Sequence, residues 1–83
     1  MKKIFTLELD QQDETIEMHL NKAGAEYLRN LLDKLISNNQ KEHLHLMTPD
    51  WGGDELSNDQ QNLSPDINLL HQLKIMYWNE RNT

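Results

Sequence analysis

The chain has no cysteine among its 83 residues, which excludes a disulfide scaffold and a thiolate metal site. It also lacks any run of about 18 to 20 apolar residues, the length that a membrane-spanning helix needs. The first residues, Met-Lys-Lys-Ile-Phe, have the beginning of an export signal, but Glu8 and Asp10 interrupt the apolar run too early for one. We therefore expect a cytoplasmic protein with no membrane partner.

The sequence also has fewer basic than acidic residues. The sequence has 14 acidic and 8 basic side chains and a net charge of −6. Residues 42–73 contain no lysine or arginine, and their acidic residues are Glu42, Asp50, Asp54, Glu55, Asp59 and Asp66. Phosphates would be repelled, so we expect no nucleic acid as a ligand and favour a basic partner. A solvated face without a partner is the alternative explanation of this charge.

Sequence motifs of catalysis are also missing. There is no Gly-x-Ser-x-Gly, no Gly-x-Gly-x-x-Gly, no Walker sequence and no calcium-binding loop. The carboxylates of Asp50, Asp54, Glu55 and Asp59 could form an acid–base pair, but a short acidic loop offers no cleft that excludes water. We therefore predict that the protein is not an enzyme, with no catalytic residue and no cofactor.

A length of 83 residues predicts one small domain, residues 1–83. Residues 3–10 alternate, with Phe5 and Leu7 on one face and Glu8 on the other, which is typical of a half-buried strand. A polar turn and a second alternating run, residues 15–20, complete a predicted β-hairpin. A chain of this length buries only about 60 to 65% of its unfolded surface, so we expect a single modest core.

A helix is predicted from Lys22 to Ser37. Asn21 is a suitable N-cap, and Asn38-Asn39 a suitable stop. The apolar residues recur at helical spacing and are expected to face the core; they are Leu28, Leu31, Leu32 and Leu35, with Tyr27 and Ile36 at the sides.

Residues 43–47 alternate as a third short strand, which Pro49 follows. Residues 67–78 fit either a helix or a strand, and the β-branched and aromatic content of Gln72 to Trp78 favours a strand there. The order strand, strand, helix, strand, strand predicts an α+β fold. We expect a small antiparallel sheet of about four strands with one helix packed on one face.

The segment after the third strand is the most distinctive. Its predicted partner-binding residues are Asp50, Trp51, Gly52, Gly53, Asp54 and Glu55. A tryptophan can anchor an interface, glycines allow close approach or a positive φ, and carboxylates can meet a basic surface. Two roles stay open for Trp51, since its ring could also fold over the sheet edge and hold the loop.

A metal site is a weaker hypothesis. His43 and His45 are two residues apart, so in a strand both imidazoles project from one face. Zinc would need further ligands, for which His19, His71 or a loop carboxylate are available. Two solvent-facing histidines that alternate with Leu44 and Leu46 are the favoured explanation of the spacing, so we predict no metal ligands.

The stretch from His43 to Leu56, HLHLMTPDWGGDEL, resembles the signature of the immunity protein 32 family, small proteins associated with bacterial polymorphic toxin systems. The resemblance covers about one sixth of the chain. It implies a cytoplasmic protein that protects a cell by binding a toxin domain. The acidic charge agrees with this, because an acidic surface can occlude the basic substrate site of a toxin.

Two function hypotheses follow. In the first, the protein binds and neutralises a cognate toxin with a basic surface through its acidic, tryptophan-containing loop. In the second, it is an adaptor or self-associating subunit that pairs through an exposed strand edge, for which the apolar stretch Leu73 to Trp78 is the support. A metal-dependent function based on His43 and His45 is a distant third, and homo-oligomerisation is left open.

Overall fold

The structure, a computed structural model, describes residues 2–37 and 43–78. Its elements are β1 (Phe5–Asp10), β2 (Thr15–Leu20), α1 (Lys22–Ser37), β3 (His43–Met47), a short 3-10 helix (Pro49–Trp51), β4 (Ile67–Leu70) and β5 (Gln72–Met76). Among the described residues, no helix combines the length and the apolar character that a membrane crossing requires.

The larger sheet has three antiparallel strands in the order β2-β1-β4. The predicted hairpin is confirmed, since β1 pairs with β2 from Phe5 opposite Leu20 to Asp10 opposite Thr15. On its other side, β1 pairs with β4, with Leu7 opposite Leu70. The first strand of the chain is therefore the central strand of this sheet.

The smaller sheet consists of β3 and β5, which are antiparallel, with Leu46 opposite Leu73. The predicted α+β class with a single helix is confirmed, and the structure adds detail to the strands. The closing apolar stretch divides at His71, so that β4 joins β1 and β5 joins β3. The result is five strands in two small sheets instead of about four strands in one.

The helix has the predicted bounds, Lys22 to Ser37. Asn21 caps it as predicted, because its Oδ1 accepts a hydrogen bond from Gly24 N at 2.8 Å. The same oxygen also accepts from Ile4 N at 2.9 Å, and Asn21 Nδ2 donates to Lys2 O. One amide thus joins the start of the helix to the segment before β1. The stop predicted at Asn38-Asn39 lies outside the described residues.

The core is built where α1 crosses both sheets. Its buried cluster comprises Phe5, Leu7, Leu46 and Leu56, and the half-buried side chains packed against it are Tyr27, Leu28, Leu31, Leu44, Leu70, Leu73 and Ile75. Leu35 is also buried, as predicted. The prediction was wrong for Leu32 and Ile36, which are exposed because they lie on one side of the helix, away from the cluster.

The strand β1 is buried on both faces, which the alternating pattern did not predict. Thr6 and Glu8 were expected on the solvent side, yet both are 0% exposed. The polar segment 57–62 covers them: the Thr6 hydroxyl donates to Asp59 O at 3.1 Å, and Glu8 accepts from the backbone of Gln61 and Asn62. A segment that looks like a solvated linker therefore forms a layer over this sheet.

Candidate partner-binding site

A tight turn after β3 forms the predicted partner-binding loop. Thr48 is fully buried, and its carbonyl oxygen accepts hydrogen bonds from Trp51 N at 2.9 Å and Gly53 N at 3.0 Å. Gly52 has a φ of 93°, in the left-handed region where a side chain would be strained. At Gly53 a Cβ atom would lie 2.5 Å from Met47 O. Glycine is therefore required at position 52 by the backbone conformation, and at position 53 because a side chain would not fit beside Met47.

Trp51 stacks on His71. The two ring centroids are 5.4 Å apart and the rings are inclined by only 3°. The imidazole is itself held, because His71 Nδ1 lies 2.8 Å from the Thr48 hydroxyl and His71 O accepts from Thr48 N at 3.0 Å. Trp51 is nevertheless 53% exposed. Trp51 therefore packs internally on one side and remains available on the other.

Glu55 ties the loop to the end of β3. Its Oε1 accepts a hydrogen bond from Met47 N at 3.0 Å. This bond is the main reason that the pKa of Glu55 lies below its ordinary value of 4.5, since it stabilises the carboxylate more than partial burial disfavours it. The Glu55 side chain therefore has a structural role, because it stabilises the loop through its hydrogen bond with Met47.

Lys3 holds the loop from the amino-terminal side. Its ammonium donates to Asp54 O at 3.0 Å and to Glu55 O at 2.8 Å, and it lies 3.8 Å from the centre of the Tyr27 ring. Burial, followed by the charges of Glu55 and Asp54, raises the pKa of Tyr27 above 10.0, so the phenol stays neutral at physiological pH. This lysine was not among the predicted loop contacts.

The loop also joins the two sheets. Leu56 N donates to Met47 O at 3.2 Å, and Ser57 N donates to Phe5 O at 2.8 Å. The Ser57 hydroxyl accepts from Phe5 N at 3.0 Å, and it donates to Lys3 O at 3.1 Å. With Leu56 in the core, the exposed part of the loop stands on a fixed base.

The six predicted site residues lie together but differ in their surroundings. Those exposed to solvent are Asp50, Trp51, Gly52 and Asp54; those half-buried are Gly53 and Glu55. The Asp50 carboxylate accepts a hydrogen bond from Asn58 Nδ2 at 3.3 Å, which places it beside the segment that covers the sheet. The solvent-exposed side chains of the loop are therefore the aromatic ring of Trp51 and the carboxylates of Asp50 and Asp54, which are close in sequence.

The histidines do not assemble as a set. His45 Nε2 lies 2.9 Å from Gln72 Oε1, His43 pairs in register with Met76, and His71 stacks on Trp51. Nothing in these contacts brings His43 and His45 to a further ligand among the described residues.

The structure brings together a different group, which the sequence did not predict. Within residues 2–37 and 43–78, Glu8, Glu17 and His19 are the side chains whose potential ligand atoms lie within 4.8 Å of one another. The hairpin register creates this group by placing Glu8 directly opposite Glu17. His19 Nε2 lies 2.9 Å from Glu17 Oε1 and 3.4 Å from Glu8 Oε1. Both oxygens of Glu8 already accept backbone hydrogen bonds, so this carboxylate has a structural role.

The Glu55 contact predicts an acid-sensitive loop. A folded-state pKa below the unfolded value means that this carboxylate stabilises the protein above about pH 4.5, and that the contribution is lost as pH falls through the lowered value. We expect Glu55→Gln to destabilise the protein at neutral pH, with a difference from wild type that shrinks in acid.

The Met47 amide resonance offers a direct readout by NMR. It should titrate in wild type with a midpoint below pH 4.5 and lose this transition in Glu55→Gln. A Met47 amide that does not respond to acid, or that titrates above 4.5, would contradict the assignment.

Comparison with known proteins identifies the family. The model of a family described as Immunity protein 32 matches residues 15–72, more than two thirds of the chain. The chain belongs to the Immunity protein 32 family. The matched range runs from β2 to the first residue of β5 and includes both Trp51 and His71. No curated protein and no solved structure matched the chain. Family membership supports an immunity function.

Proposed function

We propose that this member of the Immunity protein 32 family binds and neutralises a cognate protein toxin, and that Trp51, Asp50 and Asp54 make the central contacts. Membership of the family supports the immunity role. The observation that carries the site is the Trp51 ring, half-exposed and stacked on an imidazole that is held by the buried Thr48. An aromatic ring already fixed in place loses little freedom on binding.

Charge supports a toxin with a basic surface. Asp50 and Asp54 are exposed on either side of Trp51 in sequence, inside a stretch of the chain that has no lysine or arginine. The nearby ammonium of Lys3 is directed to the carbonyl oxygens of residues 54 and 55. A basic patch on the toxin would therefore meet carboxylates around an apolar ring, an arrangement that speeds association and orients the complex.

The remaining predicted residues support the loop in this proposal. Gly52 and Gly53 allow the turn, and Glu55 is hydrogen-bonded to Met47. Substituting any of them would weaken toxin binding by disturbing the shape of the loop. We therefore assign contact to Asp50, Trp51 and Asp54, and support to the other three.

The two tryptophans provide a matched test. Co-purification from the native cell with mass spectrometry identifies the bound toxin, and calorimetry then measures affinity. We expect Trp51→Ala to weaken binding by about thirtyfold or more, as at an interface hot spot. Trp78, which is 73% exposed on a different segment, serves as the control, and Trp78→Ala should change the affinity by less than about threefold on the same scale.

A charge test accompanies it. The double variant Asp50→Lys, Asp54→Lys should slow association by about tenfold and reduce its dependence on salt. Circular dichroism and thermal unfolding show whether each variant is folded. Folded Trp51→Ala and double-lysine variants that neutralise the toxin as well as wild type would refute the assigned contacts, and a bound protein without toxic activity would refute the function.

A further inference from the structure

The outer strand β2 has an exposed edge and an exposed apolar face. It ends the sheet order β2-β1-β4, so within the described residues its outer edge has no strand partner. Ile16 is 63% exposed and Met18 is 46% exposed, and Leu20 on the same face is also exposed. Edge strands are usually protected by charged side chains, lysine above all, by proline or by a bulge. The sequence of β2, TIEMHL, has no lysine or proline, its one acidic residue, Glu17, is half-buried, and its register with β1 is unbroken.

The helix α1 also carries exposed apolar side chains. The register places Met18 beside Leu7 and Leu20 beside Phe5, on the face of the sheet where α1 packs. The helix also contacts β2. Its side chains Leu32 and Ile36, one turn apart, are exposed as well. Three large exposed apolar side chains therefore share one face of β2, and two more lie on the helix that contacts it; contiguous exposed apolar surface marks an interaction site.

We propose that β2 is a homodimer interface, in which it pairs antiparallel with β2 of a second copy about a two-fold axis at Met18. The two three-stranded sheets would then form one continuous sheet of six strands. Met18 would lie opposite Met18 of the partner subunit, Ile16 opposite Leu20 of the partner subunit, and Glu17 opposite His19 of the partner subunit. This inference does not depend on the proposed toxin binding.

Charge selects this register. To keep the apolar faces on one side, an antiparallel pairing can shift only in steps that preserve the alternation of side chains. The neighbouring register on one side places Glu17 opposite its own copy, and the register on the other side places His19 opposite its own copy. Two carboxylates directly opposite each other destabilise a sheet, and a His19–His19 pair leaves both glutamates without a histidine opposite them, whereas the Met18-centred register forms two Glu–His pairs.

The two members of each pair share one face of β2. Within one copy, His19 Nε2 lies 2.9 Å from Glu17 Oε1 and 3.4 Å from Glu8 Oε1, so the pairs across the axis would form when these side chains turn from β1 towards the second copy. The opposite face brings only apolar groups together. A strand that is complementary to itself on both faces fits a second copy better than an unrelated strand, and this decides between a dimer and another protein as the occupant.

Disulfide trapping tests the register, because the chain has no native cysteine. The axis would place the two residues at position 18 with Cβ atoms about 5 Å apart, close to disulfide range. Two copies of residue 16 would be about 13 Å apart along the strands. We expect Met18→Cys to form a covalent dimer under mild oxidation and Ile16→Cys to form little. No covalent dimer from Met18→Cys, or equal trapping by Ile16→Cys, would overturn the proposed register.

Sedimentation tests the interface in the unmodified protein. We expect wild type to form dimers as its concentration rises, and Met18→Lys to raise the dimer dissociation constant by about tenfold or more, since it places two charges at the axis. Met76 on β5 is 50% exposed, so Met76→Lys is a matched control that should leave the dimer unchanged. A wild type that stays monomeric, or equal effects of both substitutions, would overturn the proposal.

Discussion

Replacing Gly24 with alanine is expected to destabilise the protein by about 3 kcal/mol, although glycine-to-alanine changes within helices ordinarily stabilise. Gly24 lies in the first turn of α1 and is buried. A Cβ atom at this position would lie 1.7 Å from Ile4 O and 2.7 Å from Ile4 C. Both are backbone atoms, so no side-chain rotation can relieve the contact.

The clash would separate elements that are otherwise joined. Asn21 Oδ1 accepts from both Ile4 N and Gly24 N, which holds the helix start against the segment leading into β1. Moving the helix outward to fit a methyl group would lengthen these hydrogen bonds and loosen Phe5 in the core. The cost therefore exceeds the gain of about 1 kcal/mol that alanine offers by helix propensity.

Urea unfolding of two variants measures this effect. Ala25 is the next residue of the same helix and is exposed, so Ala25→Gly should show the ordinary cost of about 1 kcal/mol. Gly24→Ala should lower the free energy of unfolding by clearly more than this, although alanine has the higher helix propensity. A Gly24→Ala protein as stable as wild type would show that the helix does not approach Ile4 this closely.

The second large effect is expected at Glu8. Glu8→Gln should destabilise the protein by about 3 kcal/mol, because a charge-assisted hydrogen bond is lost and a buried donor is left without an acceptor. The carboxylate is fully buried and accepts from Gln61 N at 2.6 Å and from Asn62 N at 3.0 Å, one bond on each oxygen. A glutamine amide has one oxygen, and its NH₂ group would face the other N–H.

Glu17 provides the matched control, because it lies directly opposite Glu8 in the hairpin but is only half-buried. Glu17→Gln should change stability by no more than about 0.5 kcal/mol, since its remaining oxygen can still accept. Hydrogen exchange adds a local readout: in Glu8→Gln the amide of Gln61 or Asn62 should exchange faster. Equal stability of both variants, with unchanged exchange, would contradict the structural role of Glu8.

The hairpin and the helix could be predicted from sequence because their signals are local. Period-two alternation located β1 and β2, Asn21 located the start of α1, and the leucine spacing predicted the helix that follows it. The strand preference of residues 72–78 also proved correct for β5. The division of the strands into two sheets was not predictable, because it depends on a change of pairing partner at His71.

The polar face of β1 shows a second limit. Thr6 and Glu8 look like solvent-facing residues of a half-buried strand, and only the later segment 57–62 makes them interior. Its covering contacts join residues more than fifty positions apart, and such contacts leave no periodic signal in a single sequence.

The sequence located the loop but did not predict its geometry. The cluster of tryptophan, glycines and carboxylates marked the loop after β3, and its role in partner binding stays a prediction. The sequence left open whether Trp51 packs or stays exposed, and the structure shows that it does both. His71 as the stacking partner, with Thr48 holding it, could not be inferred, because the two residues come from segments with no sequence motif in common.

The central position of β1 has a consequence for how the chain folds. The partner strand β4 begins only at Ile67, and the polar face of β1 is covered only by residues 57–62. Such distant contacts carry a high entropic cost before they become favourable, so we infer millisecond or slower folding for so short a chain. Before those contacts form, a newly made hairpin exposes β1 on an open edge, and during synthesis this edge is the part most in need of protection from aggregation.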